Sequence, residues 1–218
     1  MYLQIPLKMN VLLADHHPIF RRGIKSLMKD SKRLRFNGKV EDGEMLLEGI
    51  KEHKPELLIL EIDLPNSNGA GALRDIRAHF PDLKVLIVSC HPEEIYAISA
   101  IKAGANGYIA KTKSSKEIKK AIETVISGET FLSDSIKEVM NSKSKTGKSV
   151  TLRYKKLSAR EIEVLNLLSR GKRNKEISQI LSINEKTVST YKTRLLKKLN
   201  VDNIADLIHQ SRLLQITS

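Results

Sequence analysis

The sequence predicts a doubly wound α/β domain on a five-stranded parallel sheet, followed by an all-α domain of four short helices containing a helix-turn-helix. Three observations carry this. From Asn10 to Gly128, short apolar runs alternate with longer amphipathic stretches, the pattern of strands covered on both faces by crossover helices. The stretch NSKSKTGKS at 141–149 has no apolar side chain, a composition that favours a solvated linker over packing. Beyond it, capping residues and apolar positions recur at helical spacing from Leu157 onward.

The elements follow in order. VLLA (11–14), LLIL (57–60), VLIVS (85–89) and GYIA (107–110) read as buried strands, with Arg35 to Val40 a weaker one. Helical stretches fall near 18–30, 43–53, 69–79, 93–103 and 115–127. In a sheet of this kind the working site forms at the carboxyl ends of the strands. The polar residues at those ends are Asp15 and His16, Glu61 and Asp63, Ser89, and Lys111.

In the second domain, Ser158 and Glu161 form a capping box ahead of Ile162, Leu165 and Leu168, and Gly171 ends that helix. Asn174 is the expected cap of a second helix with Ile177, Ile180 and Leu181 inward, and Asn184 of a third bearing Val188, Leu195 and Leu199. Asn203, with Asp206 three residues on, starts a fourth with Leu207 and Ile208 inward. The expected division is 1–130, a connecting short helix and linker at 131–152, and 153–218.

Charge separates the two domains as well. The 218 residues carry 38 Lys+Arg and 25 Asp+Glu, a formal +13. Residues 1–131 hold 20 basic and 17 acidic side chains, whereas 151–218 hold 14 and 6. A nearly neutral domain tethered to one of +8 fits a regulatory module joined to a module that meets a polyanion. With 40% apolar residues and no apolar run near bilayer length, the expectation is a cytoplasmic protein that does not enter a membrane. A lone cysteine, Cys90, excludes an intramolecular disulfide and a cysteine metal cluster. His16, His17 and His91 lack a local spacing such as HxxxH, so no metal site is expected.

Through ADHHPIFRRG, LEIDLPNSNG, the serine of LIVSC, and GANGYIAK, residues 8–128 resemble the receiver domain, of flavodoxin-like fold, of two-component response regulators of the NarL/FixJ class. The resemblance implies transfer of a phosphoryl group from a histidine kinase to one aspartate, assisted by Mg²⁺, with Ser89 and Tyr108 as a switch pair and Lys111 beside the acceptor. This chain departs from the pattern at the chemistry itself. The acceptor position is Glu61, and the position that normally ligates the metal is His16. Mg²⁺ prefers carboxylate and water oxygens in a tight octahedron, and in-line phosphoryl transfer rests on positioning and charge neutralisation. Both departures fall on those requirements, so Mg²⁺ binding is expected to be weak or absent and a cognate histidine kinase is put in question. A longer carboxylate touching Lys111 can instead imitate the contacts of a phosphoryl group.

Residues 157–213 resemble the LuxR-type DNA-binding domain that follows such receivers. The third helix then fits a DNA major groove. The resemblance places base reading on its first exposed turns, Ser189, Thr190 and Thr193, with Arg194 beside them. Lys175, Lys186, Lys192, Lys197 and Lys198 suit phosphates, which position the protein and set its salt dependence. The leading expectation is a homodimeric transcription regulator of double-stranded DNA that acts without conventional phosphorylation. Two others stand beside it: a receiver that binds a partner protein or small ligand at its altered pocket, and a phosphorelay that tolerates Glu61, as a natural or an engineered substitution. An enzyme is not expected, since the pocket offers no nucleophile with a paired base.

Overall fold

The computed structural model describes residues 8–29, 31–67, 70–141 and 156–213, and in it the apolar runs form the sheet that their pattern predicts. Strands β1 (Met9–Ala14), β2 (Leu34–Val40), β3 (Leu57–Leu60), β4 (Lys84–Ser89) and β5 (Gly107–Ala110) pair in the order β2-β1-β3-β4-β5, parallel throughout. Side chains along a strand alternate faces. Val11 and Leu13 accordingly join helices α1 (Pro18–Lys29) and α5 (Ser115–Ile126) on one side. Leu12 and Ala14 join α2 (Leu46–His53), α3 (Ala70–His79) and α4 (Glu93–Lys102) on the other. Val11, Leu12, Leu13 and Ala14 are at most 1% exposed, so each large side chain among them contributes about 1.5–3 kcal/mol of burial.

Two local features adjust this plan. The predicted helix at 43–53 begins as a 3₁₀ turn, Gly43–Met45, started by the Asp42 carboxylate accepting from the Glu44 N–H. Gly49 lets α2 lie against the sheet, since a β-carbon there would fall 2.5 Å from Val40 Cγ2.

The short connecting helix is α6 (Asp134–Asn141); the predicted linker after Asn141 lies outside the described residues. The second domain contains α7 (Ala159–Ser169), α8 (Asn174–Ile180), α9 (Glu185–Leu199) and α10 (Ile204–Leu213). Both halves of the Ser158/Glu161 capping box are present. Gly171, at φ +77°, closes α7 as its N–H and that of Lys172 donate to Leu168 and Leu167 carbonyls.

Two expectations are corrected. Asn174 is the first helical residue and not the cap; Arg173 precedes the helix in extended conformation, and the Glu176 carboxylate accepts its N–H at 2.9 Å. The Asn174 side chain is thereby released to α9. Ile180 is 42% exposed, because Ile177 and Leu181 fill the inward positions of so short a helix.

The domains also touch. The core under α2, α3 and α4 continues without a break into Leu157, Ile162, Leu165, Val188, Leu195 and Leu199 of the second domain. Helix α7 packs on α3 and α4.

Candidate functional site

At the carboxyl edge of the sheet, the strand order brings Asp15, Glu61, Ser89 and Lys111 together. The Lys111 ammonium, on a side chain 8% exposed, lies 2.6 Å from Asp15 Oδ2 and 2.9 Å from Glu61 Oε2. The other Glu61 oxygen, Oε1, accepts from the Ser89 hydroxyl at 2.6 Å and from the Asp63 N–H at 3.1 Å. Glu61 is 2% exposed, so its charge is compensated internally by one cation, one hydroxyl and one backbone amide. Tyr108 is fully buried and its hydroxyl donates to the His91 carbonyl at 3.1 Å; burial pushes the phenol well above its ordinary range.

The altered acid pair has a different environment. His17 Nδ1 is 2.9 Å from Asp15 Oδ1 and 3.0 Å from Lys111 Nζ. The His16 ring lies 3.8 Å from that of His17, with a buried Nδ1 that has no hydrogen-bond partner among the described residues. Ligand atoms of Asp15, His16 and His17 fall within 4.8 Å of one another. That donor set does not suit Mg²⁺: it has two imidazoles where carboxylate and water oxygens are wanted, and the Lys111 ammonium already takes the place of a cation between Asp15 and Glu61.

Asp63, grouped with this pocket by sequence, turns its carboxylate elsewhere. Oδ2 is 2.7 Å from His91 Nε2, and Oδ1 is 3.6 Å from Arg170 Nη2 of the second domain. Burial pushes the Asp63 carboxyl up, but the His91 hydrogen bond and the charges of His91 and Arg170 outweigh it and hold it below the ordinary range. Cys90 is exposed, and its thiol is raised, first by partial burial and then by Glu61.

Two further bridges tie the domains together. The Tyr96 hydroxyl donates to Asn166 Oδ1 at 3.2 Å, and Arg74 Nη2 lies 3.6 Å from Glu163 Oε2. Tyr96, Asn166, Arg170, Arg74 and Glu163 were not expected from the sequence. One signal was available: in a domain with only 6 acids among 68 residues, Glu163 stands within the apolar stretch of its helix.

The second candidate face is α9. Ser189, Thr190, Thr193 and Arg194 lie along it. Thr190 and Thr193 hydroxyls donate to the Lys186 and Ser189 carbonyls one turn back. Asn174 links α8 to α9: its Nδ2 donates to Ser189 Oγ at 3.2 Å and its Oδ1 accepts from Lys192 Nζ at 3.1 Å. Lys175, Lys186 and Lys197 stand on the surface. Lys198 is used inside the domain, its Nζ 2.7 Å from Glu161 Oε2.

This pairing of sites has known counterparts. Residues 11–123 match the response regulator receiver domain, and residues 155–211 match the bacterial regulatory proteins of the luxR family. The chain is 34% identical to the Fimbriae Z protein of Escherichia coli K12, over 95% of this chain and 98% of that protein. It is 32% identical to the oxygen regulatory protein NreC of Staphylococcus epidermidis, over 92% and 95%. RcsB from Salmonella enterica serovar Typhimurium, bound to promoter rprA in the presence of the phosphomimetic BeF₃⁻, superposes with a TM-score of 0.78 at 25% identity, over 93% of this chain and 97% of RcsB. A structure of two RcsB dimers bound to two parallel DNAs gives 0.72 at 25%, over the same shares. No helix among the described residues is long and apolar enough to cross a membrane. The chain therefore belongs to the response regulators that join a receiver to a LuxR-type helix-turn-helix domain, and it is a DNA-binding transcription regulator rather than an enzyme.

Proposed function

We propose that this regulator binds operator DNA as a homodimer without aspartyl phosphorylation, its receiver held by Glu61 in the arrangement a phosphoryl group would otherwise impose. The observation that carries this is the engagement of the Glu61 carboxylate by Lys111, Ser89 and the Asp63 amide. A cation, a hydroxyl and an amide are the partners a phosphoryl group would take at this strand end. Both oxygens of Glu61 are occupied and the side chain is buried, so it is a poor nucleophile toward a phosphodonor. His16 and the Lys111 ammonium leave Mg²⁺ little to bind, and no cofactor is required.

On DNA, Ser189, Thr190, Thr193 and Arg194 read base edges, while Lys175, Lys186, Lys192 and Lys197 contact phosphates. Lys192 does so from a position braced by Asn174. Pairing of two copies follows the RcsB dimers on DNA, and it doubles the electrostatic part of the affinity.

Selection of binding sites from random DNA by the full chain, purified without phosphodonor, tests the central claim. Recovery of one shared sequence motif is expected; recovery only after treatment with acetyl phosphate and Mg²⁺ overturns it. The combined Glu61→Asp and His16→Asp variant is expected to take up label from a small phosphodonor with Mg²⁺. Equal labelling of the unaltered chain refutes the argument.

A further inference from the structure

The near neutrality of the receiver averages two opposite blocks. Residues 18–40 carry eight Lys and Arg against one acid, whereas residues 41–63 carry eight acids against two lysines. We propose that the flank formed by α1 and the edge strand β2 is a second, sequence-independent DNA surface, which lets a chain bound to one duplex through α9 hold another.

The fold gathers the basic block on one side. Arg22, Lys25 and Lys29 follow one another at i, i+3 and i+7 along α1, so they form one exposed stripe beside the buried Arg21, Ile24 and Met28. Lys25 Nζ lies 3.8 Å from the centre of the Phe36 ring, which sets the stripe against β2, at the edge of the sheet. Lys32 and Arg33 stand exposed at the entrance to that strand. Arg21 and Lys39 share the Glu41 carboxylate, whereas Arg22, Lys25, Lys29, Lys32 and Arg33 have no ion-pair partner among the described residues. The flank is therefore left with uncompensated positive charge.

The composition of the flank selects the partner. A protein interface is anchored by buried aromatic and apolar side chains, and the exposed large apolar group described on α1 is Ile19, one turn before Arg22. One such side chain is too little for that anchor, or for insertion into a membrane. A second copy of the same flank would set cations against cations. A duplex presents one phosphate per about 3.4 Å of axis along each strand, and the stripe runs about 10 Å from Arg22 to Lys29. Its cations thus match successive phosphates of one strand. Side chains that offer charge alone position a duplex and read no base.

Its placement makes the flank a separate surface and not an extension of α9. The β1 side chains that meet α1 point away from those that meet α2, α3 and α4, and the second domain packs on α3 and α4 through α7. The sheet stands between the flank and that domain, so the flank stays open while the domains are docked. The proposal rests on the reading of α9 as the DNA-binding helix and is independent of Glu61.

A mixed-sequence duplex fixed to beads is loaded with the full chain, washed, and offered a second, fluorescent duplex, with retention compared at equal loaded protein. The unaltered chain should retain the second duplex, with an affinity that falls about 40-fold between about 50 and 200 mM salt for the stripe of one copy. Arg22→Glu, Lys25→Glu and Lys29→Glu together should cut retention by about tenfold or more. Glutamine at the same positions is milder, serves if the first set fails to fold, and should cut it about threefold or more. Lys51→Glu, Lys54→Glu and Lys102→Glu together remove the same charge from the other face and should leave retention within about twofold. No retention by the unaltered chain, full retention by the stripe variants, or an equal loss in the Lys51, Lys54 and Lys102 variant overturns the proposal, as does retention of phosphatidylserine vesicles in place of the second duplex. Failure to load onto the first duplex overturns the reading of α9 and this proposal with it, and is distinct from loss of the second duplex alone.

Discussion

Replacing Lys111 with methionine removes a charge while keeping nearly the same length and volume. The structure puts the consequence on two carboxylates whose side chains are 6% and 1% exposed, Asp15 and Glu61, which lose the cation at 2.6 and 2.9 Å. Breaking a buried ion pair by removing one partner costs about 3–5 kcal/mol. The lower end applies here, since Asp15 keeps its contacts with His17 and Glu61 keeps Ser89 and the Asp63 amide. For a receiver of this size about 3 kcal/mol corresponds to a fall in melting temperature of roughly 10 °C. Urea and thermal unfolding at pH 7, followed by circular dichroism, measure it. Glu61→Gln alone should cost less, because Lys111 retains Asp15 and the carbonyl of the introduced amide can still accept from Ser89. Combined with Lys111→Met it should be less damaging than the sum by about 1–3 kcal/mol, the signature of residues that interact directly. A Lys111→Met variant within about 1 kcal/mol of the parent, or strict additivity in the double variant, would refute both the internal pairing and the phosphoryl-like reading of Glu61.

Other surfaces of the molecule give three more expected outcomes. Lys186→Ala should weaken binding to specific and random DNA alike and flatten the slope of log affinity against log salt by about 1.8, the share of two phosphates, one for each copy in the dimer; Thr193→Ala should instead narrow the preference for the selected site over a single-base mismatch by about tenfold. Competition binding at two salt concentrations separates them. Asp63 is held below its ordinary pKa of 3.8, so the stability it contributes is complete above that value and is lost as pH falls through the depressed one. Asp63→Asn should lower the urea midpoint at pH 7 and shrink the loss between pH 5 and about pH 2; an unchanged acid profile would count against the His91 and Arg170 contacts. Ser158→Ala should destabilise the second domain by about 1 kcal/mol through loss of the α7 cap, read as a lower denaturation midpoint.

The sequence was most informative where composition and local chemistry decide the outcome. Runs such as Leu57–Leu60 are apolar because both faces of a parallel strand are covered, and that depends on the run alone. The gathering of Asp15, Glu61, Ser89 and Lys111 was legible because parallel strands bring their carboxyl ends to one edge of the sheet and the resemblance to receivers implies Lys111 beside Glu61. Asp63 lies there too through its N–H, but which way its carboxylate turns depends on His91, 28 residues away, and on a second domain, so that part was not legible. Asn174 was read as a cap because asparagine favours that position; tertiary partners on α9 claimed its side chain instead. The contacts of Tyr96, Arg170 and Glu163 left little trace, because a surface where two domains meet has no periodicity of its own.

The carboxylate of Glu161 serves two helices at once. Its Oε2 accepts from the Ser158 N–H and hydroxyl at the entrance to α7, and it also meets Lys198 in the last turn of α9. The first turn of α7 and the last turn of α9 are therefore expected to open as a unit, and amide exchange at both should share one opening free energy. An exchange measurement at the Ser158 amide thus reports on α9, well over a helix length further along the chain, with no label on that helix itself.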